Sequence, residues 1–403
     1  MKKQLRILTA ILLIFVTTFG MSIEASAAGK VIDTNVVRRA DLPNIFTSIS
    51  SPSNSSSPKK CEGVQAMAVS RSSKNCLYSL KIKNNSEAVL YYFPNISNWN
   101  KKAAFSIYDV GHANGMTVDT HHIYICASPN GNEKNRIIRI RRDYIEDRAN
   151  QIATEEKIDV ATEVLSNSLG DYYYKIMEPE IVDSVSNGVT TYEPYDIRFS
   201  TITRAESTGK FIIGTEIAGV DKYQYNGFVR AEIIGDRFVI SSDPDDTFLV
   251  ENNIVHKYAS RQDIYYLQGY GLFIGRWYGG YKEGDENNQY INKTKNVILW
   301  ADIDGETDTT HKGYRCYIPD KIKVDVTNLK EGSTTIYEKF EIESMGITAN
   351  RNLIATFNVI YTKTYYDKFI SGKNENITSK ADADGIYKIT RSDGKTFKLT
   401  DKV

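Results

Sequence analysis

The sequence predicts an all-β chain folded as a five-bladed β-propeller of four-stranded antiparallel blades. Three observations point there. Five short segments recur in order: Gln65–Val69, Asn114–Val118, Tyr195–Phe199, Gln262–Tyr266 and Glu343–Ile347. Each reads polar, then small or acidic, then Met or Ile, then any residue, then an apolar residue, and self-similarity of this kind marks repeat architectures. Each is followed by further runs rich in aromatic and β-branched residues, the types that suit a pleated, half-buried surface. Only Tyr144–Ala153 reads as a helix.

Taken in order, the second run of each repeat is Cys76–Ile82, His122–Ala127, Lys210–Ile217, Gly271–Trp277 and Asn352–Val359. The third run is Ala88–Phe93, Arg136–Arg141, Gly227–Ile233, Lys295–Ile303 and Asp384–Thr390. A fourth is visible at Ala104–Val110 and Lys321–Val326. The repeats centre on Met67, Met116, Ile197, Ile264 and Met345. The first spacing fits one four-stranded sheet, and the longer ones carry inserts. Blades of this kind bury their faces against one another around an axis. Inserts at Ala153–Tyr192 and Tyr278–Asn292 are expected to decorate one face.

The N-terminal part differs from the repeats. Lys2, Lys3 and Arg6 precede an apolar run from Ile7 to Phe19, and Ala25-Ser26-Ala27 supplies a small-x-small cleavage pattern. Residues 1–27 therefore read as a signal peptide, and the mature chain as secreted and extracellular with no membrane span. Residues 28–60 hold a strand-like run, Val31–Arg39, and a Ser-rich tether, Ser48–Pro58. That strand is expected to complete the last blade and close the ring formed by residues 61–403.

Composition excludes several function classes. The 403 residues carry 50 basic and 50 acidic side chains, and removing the leader leaves a mildly acidic chain. No basic excess favours a nucleic-acid partner. Hydrophobic content of 41% with 9 Pro is too ordered a composition for a disordered chain. Cys61, Cys76, Cys126 and Cys316 show no metal-ligand spacing and read as buried thiols, although export permits a bridge.

In a propeller the residues entering the innermost strands converge near the axis. Here these are Gln65, Asn114, Tyr195, Gln262 and Glu343, joined by Asp196 and Asp263, with His112 and Arg261 close by. A ring of amides, carboxylates, one His and one Arg suits a ligand-binding mouth, and it equally satisfies backbone groups around a wet channel. His112, inside Gly111–Gly115, could serve as a general acid or base with Asp196, Asp263 or Glu343 as its acidic partner. Asp302-Ile-Asp304-Gly305 and Asp382-Ala-Asp384-Gly385 resemble fragments of a calcium loop but lack its further ligands and read as turns, so no cofactor or metal is expected, with calcium the alternative. The 27 Tyr, with clusters at 172–174, 278–290 and 361–366, suit strand packing and stacking on sugars.

Glu343–Ile347, the polar insert after Ala355–Val359 and the closing Gly385–Ile389 run resemble the C-terminal blade of helveticin-J-type large bacteriocins. The run Gly111–Thr117 resembles blade starts in related Gram-positive propellers. The resemblance covers the repeats and not residues 28–60. It implies an antibacterial factor and transfers no catalytic residue. Three functions follow as expectations: a secreted propeller binding a cell-surface glycan or cell-wall polymer, a polysaccharide hydrolase or lyase using His112, or an adhesin.

Overall fold

The computed structural model describes residues 31–42, 45–46, 59–60, 63–71, 76–82, 87–96, 98, 103–127, 134–152, 160–205, 208–222, 224–252, 260–278, 295–305, 313–324, 330–373 and 384–391. The expected leader, the Ser-rich tether, Cys61 and most of the 278–292 insert lie outside them.

Strands account for nearly all regular structure, and the helix falls at Arg142–Ile152, beside its expected position. Each repeat begins with an innermost strand: Gly63–Ser70, Gly115–Val118, Phe199–Arg204, Ser260–Leu267 and Tyr337–Ile347. Each pairs antiparallel with the next strand of its own repeat. The five innermost strands also pack against one another in a closed circuit, the last returning to the first.

Hydrogen bonding gathers these strands into four large sheets in a β-propeller-like arrangement. The expectation of five separate blades is corrected here, and the N-terminal strand is the reason. Val31–Asp33 runs parallel to Lys321–Lys323 at the edge of the fourth repeat. Thr34–Asp41 then runs antiparallel to Gly385–Arg391 of the fifth. One strand thus serves two repeats and welds them into a single eight-stranded sheet. The edges of the fourth and fifth repeats are thereby paired where a ring would otherwise open.

The described part of the first large insert, from residue 160 on, is mostly strand. Its Val160–Leu165 segment lies parallel to Ala103–Tyr108 and widens the first sheet. Tyr174–Met177 completes the second sheet, and the hairpin Pro179–Pro194 extends the third. Asn187 and Gly188, both at positive φ, form the tight hairpin turn.

The core lies between sheets. Tyr78, Leu90, Phe105, Ile125 and Ile138 join the first two repeats, and Phe340, Phe357, Tyr387 and Ile389 fill the last. Each such side chain contributes roughly 1.5–3 kcal/mol on burial. Between the first and last repeats sits a buried ion pair, Lys81 Nζ to Asp384 Oδ2 at 2.9 Å.

Candidate functional site

The innermost strands share a device that positions polar side chains. Four of them carry one extra residue against their partner: Gln65, Ser200, Gln262 and Glu343. A bulge of this kind bends the strand and re-aims a side chain out of the regular alternation. The second repeat lacks the bulge because its strand starts at Gly115, and Asn114 takes the equivalent place. All five residues are polar.

This register corrects the third repeat. Tyr195 and Asp196 precede the strand, Asp196 is exposed, and Ile197 is 45% exposed. The buried centre is Ile202, with Ser200 and Thr201 before it. Tyr195 instead packs beside Phe199, its amide donating to Pro179 O and its hydroxyl 3.5 Å from Thr215 Oγ1. Asp196 therefore does not join Asp263 in the ring as expected.

The residue after each bulge faces the neighbouring innermost strand. Gly115 has no room for a side chain: a Cβ would lie 2.7 Å from Ile202 N and 2.9 Å from Thr201 Cα. On the opposite side the contact is polar. Asp263 Oδ2 accepts from the Ser344 hydroxyl and, at 3.3 Å, from Met345 N–H. Ser344 Oγ in turn accepts from Met67 N–H at 2.8 Å. The fourth, fifth and first repeats are pinned together by this relay. Burial holds the Asp263 carboxyl well above its ordinary value, outweighing the Ser344 hydroxyl and the Ile264 and Met345 amides. Asp263 thus spends its Oδ2 on the contact between the fourth and fifth repeats, where burial favours its protonated form.

Two further carboxylates lie on the fifth innermost strand. Glu343, 4% exposed, accepts from Asn358 Nδ2 at 2.5 Å, while Asn358 Oδ1 accepts from Val64 N–H at 2.8 Å. Glu341 accepts from Gln262 Nε2 at 3.1 Å and pairs with Lys339. Burial raises the pKa of both, and the nearby Glu341 charge raises that of Glu343 further. Glu341 retains a cation beside it, so the buried Glu343 is the better proton holder of the two.

The first two repeats contribute acceptors. Gln65 Oε1 and Asn114 Oδ1 are buried and receive no hydrogen bond from the described residues. Just before Asn114, half-buried His112 sits in a turn where Asp109, Gly111 and Ala113 all have positive φ. A left-handed Ala is strained by roughly 1–2 kcal/mol, so the turn conformation is imposed by its surroundings.

Arg261 lies beside the ring, its Nη1 donating to Gly227 O at 3.4 Å. The calcium-loop fragments have other duties. Asp304 accepts from the Tyr266 hydroxyl at 2.9 Å and from Gly269 N–H. Asp384 accepts from Val359 N–H besides facing Lys81. Cys76, Cys126 and Cys316 are buried thiols. Tyr361 and Tyr365 belong to a ladder of ring contacts running from Tyr337 to Phe369, the packing use of the tyrosine clusters. Tyr172 and Tyr173 remain exposed, with Arg141 over the Tyr172 ring.

No family model and no curated protein matches the sequence. Among solved structures, an engineered GH43 glycoside hydrolase displaying endo-xylanase and exo-arabinofuranosidase activity is similar at 12% identity and a TM-score of 0.36. The likeness covers 78% of this chain and 58% of that one. At that score it bears on neither activity nor ligand here.

Proposed function

We propose that the chain is a secreted binding protein whose bulge ring holds a hydroxyl-rich ligand, a cell-surface glycan or cell-wall polymer. In this reading the five innermost strands of the four sheets surround that ring. One observation carries it: Gln65 Oε1 and Asn114 Oδ1 are buried acceptors with no donor among the described residues. Such a group costs about 1–3 kcal/mol until it is satisfied. Sugar hydroxyls are donors of the right kind, and burial at Glu343 favours the protonated form that can donate in return. The helveticin-J-type resemblance of the sequence supports a bacterial target in this reading, with antibacterial action as the proposed consequence.

Glycan-array and cell-wall pull-down binding tests the proposal. Wild type should retain a wall fraction or a glycan class, and Gln65→Ala with Asn114→Ala should weaken that binding at unchanged fold. Absence of binding by wild type to every fraction would overturn it. The pair Glu341 and Glu343 favours a second reading, hydrolysis of a polysaccharide with Glu343 as proton donor, because their environments separate proton holder from ion-paired carboxylate. Turnover by wild type and its loss in Glu343→Gln would select that reading.

A further inference from the structure

Lys81 and Asp384 come from opposite ends of the repeat series and meet away from solvent. Their side chains are 0% and 3% exposed, with Nζ 2.9 Å from Oδ2. Each partner is also held from a second direction. Nζ donates to Leu42 O at 2.8 Å, and Asp384 Oδ1 accepts from Val359 N–H at 2.9 Å. The strands beneath them are tied as well. Val64, the cross-strand partner of Lys81, donates its N–H to Asn358 Oδ1 at 2.8 Å, one residue from Val359. An amine and a carboxyl group are therefore fixed near contact, and such positioning turns a bimolecular encounter into an effectively unimolecular one.

We infer that Lys81 and Asp384 condense after folding into an amide that fastens the first repeat to the last. One proton passes from the ammonium to the carboxylate, and the Nζ lone pair then attacks Cγ. Val359 N–H stabilises the charge that develops on Oδ1, the oxygen kept as the amide carbonyl. Oδ2 leaves as water with two of the three Nζ protons, and the third stays on the amide nitrogen. No oxidant, reductant or co-reactant enters. The product also removes two charges whose desolvation is costly.

Such a link closes a loop spanning nearly all the repeats, and a cross-link stabilises more as its closed loop lengthens. Among the described residues no disulfide does this, Cys76, Cys126 and Cys316 being thiols. Lys339, the other amine that senses the Asp384 charge, is half-buried and pairs with Glu341. Condensation needs the folded juxtaposition, so the freshly refolded chain carries the ion pair and the aged protein the amide. The inference does not depend on what the ring binds.

Mass spectrometry of the full chain tests it. Wild type kept unfolded in urea should have its full mass, and should become lighter by one water only on incubation after refolding. Digestion of the aged, denatured protein should yield a branched peptide joining the Lys81 and Asp384 fragments, and trypsin should no longer cut after Lys81. Lys81→Met should keep its full mass throughout. Full mass in aged folded wild type, with complete cleavage after Lys81, overturns the proposal whether or not that variant folds. Asp384 precedes Gly385, and a succinimide at that position also costs one water. A loss that hydroxylamine reverses, with Lys81 still open to trypsin, marks the succinimide and likewise overturns the amide.

Discussion

Replacing Lys81 with Met should destabilise the protein more than any surface change, and the structure supplies the magnitude. Lys81 is fully buried, with Nζ 2.9 Å from Asp384 Oδ2 and 2.8 Å from Leu42 O. Asp384 also accepts from Val359 N–H at 2.9 Å, and its own carbonyl accepts from Leu42 N–H at 3.1 Å. One ion pair therefore ties the first repeat, the N-terminal strand and the last repeat. Met fills a similar volume without charge, so the variant strands a buried carboxylate, which costs about 3–5 kcal/mol. For 403 residues the unfolding entropy is roughly 0.8 kcal/mol/K, so the melting temperature should fall by about 4–6 °C. The double variant Lys81→Met, Asp384→Asn removes both charges and should recover most of that loss. Urea and thermal denaturation of wild type, single and double variants measure this. A single variant within about 1 kcal/mol of wild type would refute the reasoning. So would a double variant less stable than the single.

Three further outcomes are expected. Asp263 and Glu343 have folded-state pKa values raised above their ordinary 3.8 and 4.5, so the folded protein binds protons that the unfolded chain releases. Stability should be fullest below about pH 4 as far as these two groups are concerned, and should decline as pH rises from there through their folded values. Asp263→Asn and Glu343→Gln should each flatten a melting-temperature profile against pH, and a wild-type slope unchanged in both would contradict the assignment. Gly115→Ala should cost about 1–3 kcal/mol, because its Cβ meets the backbone of Thr201 and Ile202, which cannot rotate away; a urea midpoint equal to wild type would show that the two strands can part. Ser344→Ala should lose about 1–3 kcal/mol by leaving the buried Asp263 carboxyl and Met67 amide short of a partner, whereas a neutral effect in the same assay would mean the relay does not pin the repeats.

The strands were legible because their residue types alternate and branch as pleated strands require, and the runs at Cys76, His122 and Gly271 begin where expected. Gln65, Gln262 and Glu343 were found for a sound reason: polar residues recur at one repeat position. The third repeat was misread because Tyr195-Asp-Ile-Arg-Phe199 imitates Gln262-Asp-Ile-Tyr-Tyr266 in composition. What distinguishes the true member, Ser200-Thr-Ile-Thr-Arg204, is a bulge against Thr215 and Gly214, and a bulge exists only between two strands.

The sequence alone determined the all-β class, the repeated unit and a strand near residue 31, since these depend on local alternation and recurrence. Tertiary structure alone decided that this strand bonds two repeats at once and reduces the ring to four sheets. It also decided that Asp263 packs, Asp196 stays in solvent, and Arg261 faces Arg276 across a strand pair. Charge, burial and hydrogen-bond partner belong to pairs of residues far apart in the chain. No local pattern records them.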